Sequence, residues 1–260
     1  MKVKFNKIAL IIAMISMVVI CSTTIAYARF SRQYNPEVSK FGVSVASQDN
    51  MMISTSGLPG TFKDAIKLGD LVTDTSVTLT PIIGKVEKTA DETYEVLNLV
   101  DEYNNPVVSS KYLSFDLYFI ASSDMNLYLK GSRAGEVIVF DDTNSAHHFT
   151  VEEKNRLMAN MRVAFLTYST AYQSSGPVYS EYSISTKVYS TTEVTSDYYS
   201  TFTDLGYSQT AKDTILATTT KNEVTKMKVV IWLEEDNLGE LEAICDLSLS
   251  LRFEAVPIQN

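Results

Sequence analysis

The side chains best suited to metal or nucleophilic chemistry are few in this sequence and poorly placed for it. His147 and His148 are its only 2 histidines. They are adjacent, and on a strand adjacent side chains point to opposite faces, which does not suit shared ligation of one ion. No HExxH arrangement accompanies them. Cys245 is the only cysteine after residue 28; it follows an apolar turn and reads as a small core residue rather than a nucleophile. Serines are abundant, but none sits in a Gly-x-Ser-x-Gly elbow, and the glycines are scattered singly rather than grouped into a phosphate loop. The densest acidic run, Glu234-Glu235-Asp236-Asn237, offers oxygen ligands for calcium. It lacks the alternating ligand spacing of an EF-hand, and a solvated turn accounts for it. Nothing singles out a catalytic carboxylate pair among 31 acids. The expectation is a non-catalytic protein with no catalytic, cofactor-binding or metal-ligating residues.

The elements that would position any site are mostly strands. Leu113, Phe115, Leu117 and Phe119 alternate with Ser114, Asp116 and Tyr118. Phe41, Val43 and Val45 alternate in the same way, as do Leu247, Leu249, Leu251 and Phe253. A period of two places one set of side chains on a buried face and the other in water, as in an antiparallel sheet with one wet side. Val229-Val230-Ile231-Trp232-Leu233 is apolar on both faces, which predicts a central strand covered twice. Leu71 to Ile83, Glu95 to Val100, Glu136 to Phe140 and Arg162 to Tyr168 are further strand candidates. Helical signals are short. Thr150 and Glu153 form a capping box for a helix running to about Met161, which turns Leu157 and Met161 toward the core. Thr61 to Leu68 reads as a second short helix closed by Gly69, and Gly239 to Ile244 as a single turn. Many strands with one or two short helices predict an all-β, two-sheet sandwich of jelly-roll type.

The N-terminus predicts export. Lys2, Lys4 and Lys7 precede the apolar run Ile8 to Ile20, no charge follows until Arg29, and Ala26-Tyr27-Ala28 has the small residues that a signal peptidase accepts. Residues 1–28 are therefore expected to be a signal peptide, with an uncleaved anchor as the alternative because the uncharged stretch could span a bilayer. In both cases the remainder lies outside the membrane, secreted or at the cell surface. Residues 29–260 are expected to form a single domain. They hold 19 Lys+Arg against 31 Asp+Glu, a net charge of −12. Such a surface repels nucleic acid and anionic headgroups, so neither nucleic acid nor, after cleavage, membrane is an expected partner. With a single cysteine no intrachain disulfide can form, so the domain must hold together by packing or by association. The stretch at about 167–225 holds 24 Ser or Thr and 8 Tyr. It reads as solvated edge strands or as an interaction surface rich in tyrosine and serine.

Ala28-Arg29-Phe30-Ser31 leading into Lys40-Phe41-Gly42-Val43-Ser44-Val45, together with Val230-Ile231-Trp232-Leu233-Glu234 and the strand Leu247 to Phe253, resembles exported proteins of the TasA/camelysin type from Firmicutes. The resemblance covers the signal segment and the two ends of the chain. It implies a jelly-roll subunit of an extracellular, biofilm-matrix fibre, in which an N-terminal strand completes the sheet of the next molecule. The corresponding expectation is self-association, or binding to surface or matrix proteins, through the Phe30–Val45 strand. Camelysin-type relatives are described as metallopeptidases, but no metal-binding motif here supports carrying that activity over. A second expectation is a glycan- or wall-binding module in which Tyr198, Tyr199 and Tyr207 stack on sugars.

Overall fold

The computed structural model describes residues 37–46, 51–67, 77–129, 150–173, 175–203, 214–234 and 246–258. The strands of its first half are β1 (Glu37–Ala46), β2 (Met51–Ser54), β3 (Ala65–Lys67), β4 (Val77–Thr78), β5 (Pro81–Lys88), β6 (Glu95–Val100), β7 (Leu113–Ala121) and β8 (Met125–Leu129). A helix, α1 (Val151–Asn160), leads into β9 (Met161–Thr167), β10 (Thr170–Gln173), β11 (Gly176–Tyr179) and β12 (Ser185–Tyr189). The last strands are β13 (Thr201–Phe202), β14 (Ala217–Thr219), β15 (Val224–Glu234) and β16 (Asp246–Pro257).

Apolar alternation produces the strands it predicts. Along β7 the side chains of Leu113, Phe115, Leu117 and Phe119 are buried, while Ser114 is exposed and Asp116 and Tyr118 are half-buried. Strand β15, apolar on both faces, is the centre of one sheet. It pairs antiparallel with β9 from Met227↔Thr167 to Leu233↔Met161, and with β7 from Val224↔Ile120 to Ile231↔Leu113. β12 and then β13 extend this sheet beyond β9, and β2 extends it beyond β7. Where β7 stops, β5 takes over along the end of β15 in two parallel pairs and brings β6 with it as a hairpin. The second sheet runs β14-β8-β16-β1-β3, with β4 also pairing β1.

The two sheets pack face to face through aromatic contacts. Phe253 of β16 meets Phe119 of β7 with ring centroids 5.4 Å apart and Phe165 of β9 at 5.9 Å, both edge to face. Leu127, Leu129 and Leu251 bury beside them from the second sheet, and Met227, Val229 and Ile231 from the first. The opposite face of β15 is covered as well. Val230 and Trp232 join Ile82, Ala164, Leu166 and Val188 in a second cluster, roofed by Val86, Leu97 and Leu99 of the β5–β6 hairpin. The architecture is an all-β sandwich.

Two local expectations are corrected and a third is sharpened. Thr61 to Leu68 is not a helix over its described residues. Ala65–Lys67 is strand β3, and Lys63 exchanges hydrogen bonds of 2.8 Å each way with Ile53. The edge of β1 needs a partner, and Thr61 uses its hydroxyl to bond Leu58 O at 2.6 Å instead of capping a helix. Leu71 to Ile83 is not one strand over its described part: β4 belongs to the second sheet and β5 to the first. The fully buried Leu79 lies between them, and Pro81, which cannot donate to a ladder, opens β5. Helix α1 ends at Asn160, whose side chain donates to Arg156 O at 2.9 Å, so Met161 begins a strand; it and Leu157 are buried as expected. Residues 1–36, the Glu136 to Phe140 strand and the Gly239 to Ile244 turn lie outside the described residues.

The Ser/Thr/Tyr-rich stretch contributes to both sheets. β12 pairs with β9 over five residues, β14 pairs with β8 over three, and Val188, Tyr189, Leu216 and Ala217 are buried. Its two- and three-residue strands β13 and β14 occupy sheet edges, which agrees with the edge-strand reading.

Candidate assembly strand and the tyrosine-bearing outer face

The expected assembly strand is an interior strand of the second sheet over its described part. β1 lies beside β16 in parallel register, from Glu37↔Asp246 to Ala46↔Glu254, with an irregularity between Val38 and Lys40. That ladder joins the two ends of the described chain over nine residue pairs, whereas the other parallel pairings, β12–β13 and β5–β15, each span two. Among the described residues its other side is paired by β4 at Glu37 and Val38 and by β3 at Gly42 to Ser44. Of the other described margins, β3, β13 and β14 span two or three residues each, which blunts edge-to-edge pairing there, whereas β6, with six residues, is the longer margin of the first sheet.

The outer face of the first sheet carries the polar chemistry. Glu234 ends β15 and is buried, not part of a solvated turn. Its carboxylate accepts from Trp232 Nε1 at 2.8 Å, from the Tyr199 hydroxyl at 2.6 Å and from Gly84 N at 3.3 Å. The Tyr199 ring stands edge-on to Trp232 at 6.4 Å, and its hydroxyl is held well above the ordinary phenol range by burial and by the Glu234 charge. Tyr199 is therefore turned inward and is not a sugar-stacking platform. Tyr198 is exposed, with Lys85 Nζ 4.8 Å above its ring, and Tyr207 lies outside the described residues.

Further along the same face Lys226 sits among three tyrosines. Its Nζ lies 5.9 Å from the Tyr118 ring, 5.0 Å from Tyr168 and 5.6 Å from Tyr179, and 2.9 Å from Asp116 Oδ2. Burial pushes Tyr168 up to about 12, helped by Asp116, and Tyr179 up to about 12, helped by Tyr118 and Tyr172. The cage is filled by the protein's own ammonium group, so it holds the β10–β11 hairpin to the sheet rather than offering a cation site. Between this cage and the β5–β6 hairpin runs an open cleft of about 460 Å³, with Leu166, Tyr168, Lys228 and Val230 among its lining residues.

His147, His148, Cys245 and the Glu235–Asn237 part of the acidic run lie outside the described residues. Among the described residues no group of three or more His, Cys, Asp or Glu side chains is placed to hold a metal ion, and no helix is long and apolar enough to cross a membrane. The Glu234 site was missed in the sequence, although a signal for it exists. Positions i and i+2 of a strand share a face, and a buried indole N–H needs an acceptor, so a carboxylate two residues after a core tryptophan is a ready partner. No protein-family model, curated protein or solved structure matches this chain.

Proposed function

We propose that this chain is an exported, non-catalytic structural or interaction protein of the cell surface or biofilm matrix, a jelly-roll fibre subunit that assembles by β-strand addition. The observation that carries this reading is the place of β1: the first described strand, paired through its backbone along nine residues of β16. If β1 leaves, β16 presents an open edge that the same strand of a second copy fits. A chain of such exchanges is head-to-tail, and where its rotation does not close into a ring it grows as a filament. The signal-like segment ahead of it supports export, and its removal would free the residues before β1. The reading extends the sequence resemblance to matrix-fibre proteins.

The test uses cysteine pairs across the β1–β16 ladder, since Gly42 and Ser250 are register partners. Copies of residues 29–260 carrying only Gly42→Cys are mixed with copies carrying only Ser250→Cys, with Cys245 replaced by Ser in both. Disulfide-linked heterodimers within filaments are expected, and deletion of Arg29 to Ser39 should abolish filaments. A strictly monomeric protein that forms no mixed disulfide sinks the reading.

A second reading, a glycan- or wall-binding module, draws on the exposed tyrosines Tyr103, Tyr182 and Tyr198. It requires polysaccharide retention that is lost when Tyr182 and Tyr198 are replaced by Ala.

A further inference from the structure

The outer edge of β6 is open over one short stretch. Thr89 N–H donates to Tyr94 O at 2.9 Å, which sets the phase of the β5–β6 ladder. Val96, Asn98 and Val100 exchange their bonds with β5, and Glu95, Leu97 and Leu99 turn their backbone groups away from it. One end of that outward row is closed by Ser183: Glu95 N–H donates to Ser183 O at 2.8 Å, and Glu95 O accepts from the Ser183 hydroxyl at 2.8 Å. The other end is closed by Val107, whose N–H donates to Leu99 O at 3.0 Å. Between them Leu97 N–H, Leu97 C=O and Leu99 N–H have no hydrogen-bond partner among the described residues. The open row reads donor, acceptor, donor.

This row borders the cleft of about 460 Å³, whose lining also includes Leu166, Lys228 and Val230. Lys228 makes no ion pair among the described residues, because Asp116, its register partner on β7, is engaged by Lys226 at 2.9 Å. Leu97 packs against the cluster that contains Leu166 and Val230, so a residue placed opposite Leu97 on an added strand shares that inward face.

We propose that the cleft takes an extended peptide segment of another polypeptide, added as a strand along β6 and carrying a carboxylate that meets Lys228. Its backbone supplies acceptor, donor and acceptor to the three open groups. One inward side chain is apolar, against Leu97 and Val230, and the next is acidic. A sugar chain has no amide repeat in step with successive outward groups on a strand, which recur every two residues, about 6.8 Å. β6 and β15, which line the cleft, belong to the first sheet and β1 to the second, so the site is separate from any exchange of β1.

Residues 29–260 are titrated with acetylated, amidated pentapeptides of the pattern Thr-x-Thr-z-Thr, where x is Val, Leu or Phe and z is Glu, Gln or Lys, and backbone amide shifts are followed by NMR. The z = Glu peptides are expected to bind, to move the Leu97 and Leu99 amides and to slow their hydrogen exchange. Methylating the backbone nitrogen of the residue opposite Leu97 should weaken binding at least tenfold. Lys228→Gln should erase the preference for Glu over Gln while leaving the urea midpoint of the protein unchanged. The proposal is overturned if no peptide binds, if nitrogen methylation makes no difference, or if chito-oligosaccharides occupy the cleft while peptides do not.

Discussion

Glu234 accepts a hydrogen bond of 2.8 Å from the indole nitrogen of Trp232, two residues earlier on the same strand. The pair ties the end of the central strand to its neighbours, because the same carboxylate takes the Tyr199 hydroxyl at 2.6 Å and Gly84 N at 3.3 Å. Removing it takes the acceptor from two buried donors, Trp232 Nε1 and Gly84 N, and from the half-buried Tyr199 hydroxyl. Glu234→Ala is expected to cost about 2–4 kcal/mol of stability, and Glu234→Gln, which keeps an acceptor oxygen, about half of that. Urea denaturation followed by Trp232 fluorescence measures both. Equal losses for the two substitutions would contradict the acceptor role.

Gly84 is needed for space. A Cβ added there would lie 2.5 Å from Trp232 Cζ2, within the indole of a residue that is fully buried. Gly84→Ala is expected to destabilise by about 1–3 kcal/mol and to shift the Trp232 emission, as the ring is displaced from the second cluster. An unchanged spectrum together with an unchanged urea midpoint would refute the close approach.

Phe253 joins the two sheets through Phe119 and Phe165. Phe253→Ala is expected to cost about 3–5 kcal/mol. Phe253→Leu retains most of the buried volume and should cost clearly less. Thermal unfolding of the two variants side by side gives the comparison.

Alkaline pH should destabilise the fold. Burial holds Tyr168 and Tyr179 up to about 12, and Tyr189 and Tyr199 are also raised. In the unfolded chain these phenols ionise near their ordinary value of 10.0, so above it the unfolded state has lost protons that the folded state still holds. Their contribution is fully present below about pH 10 and is lost as pH rises toward 12. Urea midpoints at pH 9, 10 and 11 should fall in that order, and phenolate absorbance should rise with unfolding. A midpoint that stays constant to pH 11 would count against the buried phenols.

Much of the sandwich was legible in the chain because strand side chains alternate, and alternation is a local property. Leu113 to Phe119 named a buried face residue by residue, and Val229 to Leu233 named a strand covered on both sides. Where local signals mislead, a distant partner decides. The stretch Thr61 to Leu68 has the turn-and-cap look of a short helix, yet Ala65 to Lys67 pair with Gly42 to Ser44. Val188 and Leu216 are isolated apolar positions in the Ser/Thr/Tyr-rich stretch, yet both are buried, Val188 in the cluster that β9 and β15 already provide.

By itself the sequence determined the strand-rich class, the acidic charge, the scarcity of cysteine and histidine, and the export-like N-terminus, since each follows from residue type and short-range period. Only the tertiary structure decided that β1 pairs with β16, that Glu234 is a buried acceptor, and that three backbone groups of β6 face an open cleft. Backbone hydrogen bonds are offered alike by every residue type other than proline and carry no address, so a strand's partner is set by which distant side-chain faces pack together, and that is not a local property of the chain.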